Sequence, residues 1–450
     1  MGSSLGDTAR AMALEALGAC RPGDAVGRLL QPAPSGMLLE GHPMEGPFYI
    51  LSVGKAACAM ARVAVDVLGN QIWSGCVLTR EGYGEEVPPL RCVEAGHPLP
   101  DARGLRATME ILREIDALPE DVTVLTLLSG GGSALFEAPE RGVSLEDLQR
   151  INGALLACGA PIAEINAVRK HLSRVKGGRL LRWIAPRPSV TLVVSDVVGD
   201  DPATIASGPT VADDTTFDDA VAVLRRWNLW ETVSEGVRRA LDEGLRGFRE
   251  ETLKSVENYH AWTRVILDNR TLCRAAAEAA RQQGFTPLLL GSFFAGEARE
   301  MGTFFGNLAQ EIRTSGHPAP PPLAVISGGE AVVKVRGKGL GGPGQETALA
   351  CARSLRGLSG VTFLSMDSDG TDGPTDAAGG VVDGATWHRL ISLGIDPMEA
   401  LDRNDAYAAL QSAGALWKTG PTGNNLNDLR ILLVEAEALR GAPCGMEGCG

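Results

Sequence analysis

Val122-Thr-Val-Leu-Thr-Leu-Leu-Ser-Gly-Gly-Gly-Ser-Ala-Leu135 decides the fold class of this chain. Residues 122–128 are short, apolar and β-branched, without a charge, which is the pattern of a strand buried on both faces. Ser129, Gly130, Gly131, Gly132 and Ser133 then supply small side chains and bare backbone before a helix-forming segment. N–H groups at such a strand-to-helix turn attract phosphate or carboxylate. A nucleophile elbow would also place a serine at 133, but Leu135 stands where its closing glycine belongs.

The same alternation continues outward. Tyr49–Val53, Ile72–Leu78 and Val190–Val194 read as strands. Residues 8–19, 56–68, Leu105–Leu118, Ser144–Ala157, Pro161–Lys170, Phe217–Trp227 and Glu231–Leu241 read as helices. Strand, loop and helix in this order predict a parallel α/β sheet with its sites at the strand C-terminal ends. A second series places strands at Val265–Asp268, Pro287–Leu290, Leu323–Ile326, Ala331–Arg336 and Val361–Ser365. Its helices are Asn269–Gln283, Gly296–Ile312 and 345–356. The chain has 450 residues, more than the roughly 250–300 that one core sustains. Two domains are therefore expected, at 1–255 and 256–436. The last segment of the second is expected to be able to pack back on the first, and a flexible tail is expected at 441–450.

Composition narrows the function. Forty-two basic residues face 55 acidic ones, a net charge of −13. Such a chain repels nucleic acid and anionic membrane, so neither is an expected partner. Nine widely spaced cysteines without a CxxC argue against a disulfide framework or zinc ribbon and for a cytoplasmic protein. The six histidines contain no HExxH. The N-terminus carries no signal-peptide pattern, and no apolar run is long enough to span a bilayer. Glycine is abundant, at 56 residues, and clusters in loops.

Those loops carry the candidate chemistry. Lys55 follows the Tyr49–Val53 strand, where a lysine can meet a phosphate, although Ala56 excludes a Walker loop. Residues 166–178 hold Arg169, Lys170, His171, Arg174 and Lys176, a local positive charge suited to an anion. Asp196 ends the Val190–Val194 strand and suits a base or Mg²⁺ ligand. Gly337, Gly339 and Gly342 satisfy GxGxxG before a helix, which keeps a nicotinamide-dependent reductase open. Asp367, Asp369, Asp372 and Asp376 cluster after a strand, in a segment that suits Mg²⁺ or a sugar-like hydroxyl. These features predict a two-domain α/β enzyme acting on a phosphorylated or carboxylated small molecule in an interdomain cleft.

Several motifs, in order, resemble the glycerate 2-kinase family with a MOFRL-type C-terminal domain. They are Val53–Ala57, Ser129–Leu135, Ile165-Asn166 with Arg169, Ser173 and Lys176–Gly178, Ser195–Asp200, and Ile205–Thr210. The second half adds Ser327–Glu330, Asp369–Gly379, Asn404-Asp405 and Gly420–Asp428. The resemblance spans residues 8 to 435. It implies a Rossmann-like first domain, a smaller α/β second domain, and phosphorylation of D-glycerate at its 2-hydroxyl by ATP with Mg²⁺. It further implies that Asn166, Ser207, Gly328, Glu330, Gly342, Gln345 and Asn424 touch substrate or phosphate, together with the Ser129–Ser133 loop and Lys176. On this resemblance Lys55, Asp196 and Arg169 are expected to carry the reaction, and Asp369 and Asp372 to hold the metal. The expected assembly is a monomer or homodimer. Members are often labelled hydroxypyruvate reductase, which is the alternative activity. One departure stands out: the family's Gly-Gly-Arg-Asn-Gln-Glu reads Gly341-Gly342-Pro343-Gly344-Gln345-Glu346 here. Proline brings neither charge nor N–H, so an altered substrate or weakened kinase is a further alternative.

Overall fold

The computed structural model describes residues 4–33, 36–39 and 41–436. They form two compact units. One is Arg21–Asp268; the other combines the chain up to Cys20 with the chain from Asn269 onward. The expected tail at 441–450 lies outside the described residues.

The Arg21–Asp268 unit begins with a small antiparallel sheet of β1 (Leu30–Ala33), β2 (Gly36–Leu39) and β3 (His42–Glu45). Its main sheet comprises β4 (Phe48–Val53), β5 (Ile72–Arg80), β6 (Arg91–Ala95), β7 (Thr123–Leu128), β8 (Ser189–Val194) and β9 (Ala261–Leu267). The order is β6-β5-β4-β7-β8-β9, and every pair is parallel. Every residue of β4, β7 and β8 is buried, because helices cover both faces of a parallel sheet. Helices Ala102–Asp116 and Leu180–Ile184 bury Ile111, Ile115, Leu180 and Ile184 with Tyr49, Leu51 and Val124 in one core. Helix Leu145–Ala157 starts where its sequence says it should. Ser144 Oγ accepts from the Asp147 N–H, and Asp147 answers with Oδ2 on the Ser144 N–H.

The second unit carries a mixed sheet. Its strands are β10 (Thr286–Glu297), β11 (Leu323–Val332), β12 (Val361–Asp367), β13 (Gly379–Asp383), β14 (Leu416–Trp417) and β15 (Asp428–Val434). The order is β10-β11-β15-β12-β13-β14, with only β10 and β11 parallel among these pairs. Helix Leu5–Ala19 belongs here. It buries Ala9, Met12, Ala13, Ala16 and Leu17, the spacing of one helix face, and packs on helix Asn269–Gln282. No described helix is long and apolar enough to cross a membrane.

Four details differ from the sequence expectation. The division falls after Asp268 rather than near 255, because Ala261–Leu267 pairs with β8 as the edge of the first sheet. The 8–19 helix joins the second unit. Ser327–Glu330 is strand, not loop: β11 runs through it to Val332, and residues 333–336 form no separate strand. The helix expected at 345–356 begins earlier, with Pro343 in the first turn of Pro343–Leu355, where a missing N–H costs nothing.

Candidate active site

β4, β7 and β8 lie side by side, so the segments that leave their C-terminal ends converge. Gly54 follows β4 with φ at +123°, and a Cβ there would lie 2.2 Å from Ser129 Oγ. Only glycine permits this approach. Across it, Ser129 Oγ accepts from the Ala56 N–H at 3.1 Å, and the Lys55 N–H donates to the Gly130 carbonyl at 2.9 Å. Ser129 is fully buried, and its side chain staples the two loops. The N–H groups of Gly130, Gly131 and Ser133 have no acceptor among the described residues. A Cβ on Gly131 would lie 3.1 Å from His97 Cδ2 and 3.6 Å from Lys55 Cγ, so these two side chains flank the loop.

The Ile205–Thr210 segment reaches the same place. Ala206 and Ser207 hold φ at +50° and +60°, a left-handed conformation that costs non-glycine residues of order 1 kcal/mol or more each. The Gly177 and Gly178 N–H groups brace it by donating to the Ser207 and Gly208 carbonyls at 3.0 and 2.7 Å. Ser207 Oγ lies 2.8 Å from Ser133 Oγ and donates to Asn166 Oδ1 at 3.0 Å. Three expected site residues thus form one chain.

Arg169 sits one helical turn beyond Asn166 in helix Ile162–His171 and is partly buried. Its Nε donates to Asn152 Oδ1 at 2.8 Å, and no carboxylate pairs with it among the described residues. Burial lowers its pKa, partly offset by the charge of Glu137. Its buried basic neighbours are compensated: Lys170 by Asp213 at 3.0 Å, Arg179 by Glu140 at 3.1 Å and Lys176 by Glu137. Lys176 is 1% exposed and Glu137 also accepts from Ser173 Oγ at 2.6 Å. Lys176 is therefore a buried cation paired with Glu137, within electrostatic reach of Arg169. Burial lowers the Lys176 pKa, opposed by the Glu137 charge. Asp196 follows β8 and is partly buried.

The remaining expected residues lie in the second unit. Asp372 is 1% exposed, and its two oxygens accept from the N–H groups of Gly344 and Gln345 at 2.9 and 2.7 Å. It caps helix Pro343–Leu355; burial raises it to about 7 although both N–H bonds favour the charged form. Gly342 packs against it so closely that a Cβ would lie 2.3 Å from the carboxyl carbon. Gln345 Nε2 donates to Thr375 Oγ1 at 2.8 Å. Asp369 Oδ1 accepts from the Thr371 N–H and hydroxyl at 2.8 and 2.7 Å. Both oxygens of Asp372 are thus engaged by backbone N–H groups. Among the described residues no group of three His, Cys, Asp or Glu side chains is arranged for a metal. Gly328 O accepts from Arg430 Nη1 at 3.2 Å, Glu330 is exposed on β11, and Asn424 Nδ2 donates to the Leu17 carbonyl at 3.2 Å. The 337–342 glycines sit in an irregular stretch, 333–342, between β11 and its following helix. The tight strand-to-helix turn of a dinucleotide fingerprint is absent there.

Sequence reasoning missed His97, Asn152 and Glu137. His97 stands before Pro98 in no recognisable pattern. Glu137 lies 39 residues before Lys176, and nothing in the sequence pairs the two.

A family model described as a domain of unknown function, DUF4147, matches residues 8–242, and the MOFRL family model matches residues 323–428. The chain is 43% identical over 427 residues to the glycerate 2-kinase of Pyrococcus horikoshii, covering 94% of this chain and 96% of that one. It is 46% identical over 386 residues to the D-glycerate 2-kinase of Thermotoga maritima, covering 86% and 90%. The crystal structure of a Thermotoga maritima glycerate kinase matches with a TM-score of 0.85 and 42% identity, covering 96% of this chain and 99% of that one. With near-complete coverage of each of these, the chain belongs to the glycerate 2-kinase family.

Proposed function

We propose that this chain transfers the γ-phosphoryl group of ATP to the 2-hydroxyl of D-glycerate, giving 2-phospho-D-glycerate. The observation that carries the reading is the edge of three adjacent parallel strands. The segments leaving it carry Lys55, the open N–H groups of Gly130, Gly131 and Ser133, and Asp196. Phosphoryl transfer asks mainly for positioning and for positive or N–H groups around the transferring phosphate. Lys55 supplies the charge and the loop supplies the donors. Asp196 orients the 2-hydroxyl or takes its proton for in-line attack. Arg169 takes the substrate carboxylate, because a guanidinium without a carboxylate partner, held by Asn152, suits an incoming anion. We assign the divalent ion to the incoming nucleotide.

The test is ADP release by pure protein with D-glycerate, ATP and Mg²⁺, run beside an NAD(P)H assay with hydroxypyruvate. Glycerate-dependent ADP release without NAD(P)H oxidation supports the kinase. Loss of NAD(P)H with no ADP release overturns it in favour of the reductase. Silence in both assays overturns it in favour of a changed substrate or an inactive relative.

A further inference from the structure

The Ser133–Ser207–Asn166 chain has one possible direction. Asn166 Nδ2 lies 3.4 Å from the Thr204 carbonyl, which can only accept, so the amide oxygen is the end that meets Ser207. That oxygen also only accepts. Ser207 Oγ, 3.0 Å away, must give it the one proton a serine hydroxyl owns. Ser207 is fully buried and then has nothing left to donate. In the 2.8 Å contact between the two serines, Ser133 is therefore the donor. The reverse order would leave a buried amide oxygen without a proton, which costs of order 1–3 kcal/mol.

Ser133 is partly buried, and with its proton turned inward its Oγ offers only lone pairs outward. Such an oxygen repels a carboxylate or phosphate oxygen and welcomes a hydroxyl. The Ser133 N–H, by contrast, is a donor without a partner among the described residues. One residue thus presents a backbone donor and a side-chain acceptor.

We propose that Ser133 is a specificity-determining residue that accepts a hydrogen bond from the non-reacting 3-hydroxyl of the hydroxy acid. The inference rests on the kinase reading above and adds the recognised group. The 2-hydroxyl is not its partner: the attacking oxygen must lose its proton to a base, and a neutral serine oxygen is too weak a base for that. The device selects a dihydroxy acid over its 3-deoxy analogue.

D-lactate is D-glycerate without the 3-hydroxyl, so the pair isolates the interaction. The KM for D-glycerate and the inhibition constant of D-lactate against it are measured in the unaltered protein, Ser133→Ala and Ser133→Thr, with thermal melts to confirm folding. Ser133→Ala should raise the glycerate KM about tenfold, the scale of one neutral hydrogen bond. It should leave the D-lactate constant within about twofold, and Ser133→Thr should recover most of the loss. Parallel weakening of both ligands, or an unchanged glycerate KM, overturns the inference while leaving the kinase standing. D-lactate binding as tightly as D-glycerate in the unaltered protein overturns it as well. No glycerate turnover by the unaltered protein defeats the kinase reading itself, and the inference falls with it.

Discussion

The backbone of Gly54 passes so close to Ser129 that a Cβ would lie 2.2 Å from the serine Oγ and 2.5 Å from its carbonyl oxygen. The same contact sets the geometry of Lys55, whose N–H bonds the next residue, Gly130. Gly54→Ala must push the two loops apart or strain a left-handed residue. We predict a stability loss of about 1–3 kcal/mol, read by urea denaturation, together with loss of turnover.

Lys55 is assigned charge on the transferring phosphoryl group, an interaction strongest in the transition state. Lys55→Ala should lower kcat by about 10²–10³, as the loss of one such contact does. Near-normal turnover would remove that role. Asp196→Asn tests the base in the same way: unchanged kcat across the pH range would remove the assignment.

Arg169 and Lys176 separate binding from support. Arg169→Gln should raise the glycerate KM more than it lowers kcat, since carboxylate binding is shared by ground and transition states. Glu137→Gln should act elsewhere. It leaves a buried Lys176 charge unpaired and should cost about 3–5 kcal/mol in denaturation. The double change Glu137→Leu with Lys176→Met should recover much of that stability.

How much of this was legible in the sequence depends on whether a residue's partner is near it in the chain. β7 and its glycine loop were readable because burial on both faces leaves an uninterrupted apolar run. β15, the third strand of the second sheet, was not. Its Asp428-Leu-Arg430 opening looks like the end of a polar loop, yet Arg430 is fully buried beside Asp428 and the Gly328 carbonyl. Two charges that neutralise each other at i and i+2 on one strand face hide a core strand. Lys176 was readable as a charge but not as a support, because its partner lies at Glu137. Asp369 and Asp372 show the same limit: four acids after a strand suggest a metal, and only the fold reveals that Asp372 caps a helix.

Glu251 links stability to acid. Burial pushes its carboxyl up, but the hydrogen bond with His171, the Phe217 N–H and Lys254 outweigh this and bring it down to about 2 from an ordinary 4.5. A carboxyl lowered in the folded state stabilises fully above its unfolded pKa and loses that contribution as pH falls. Unaltered protein should therefore exceed Glu251→Gln in melting temperature at pH 6. The gap should close between pH 4.5 and about 2. A gap independent of pH would contradict the linkage.

The central claim is the reaction and its position on the substrate. Phosphorus NMR of pure protein incubated with D-glycerate, ATP and Mg²⁺ tests it most directly. The account predicts a growing 2-phosphoglycerate signal matched by ADP, a result that would also show Pro343 to be compatible with catalysis. A 3-phosphoglycerate signal, or ATP left intact beside unchanged glycerate, would contradict it.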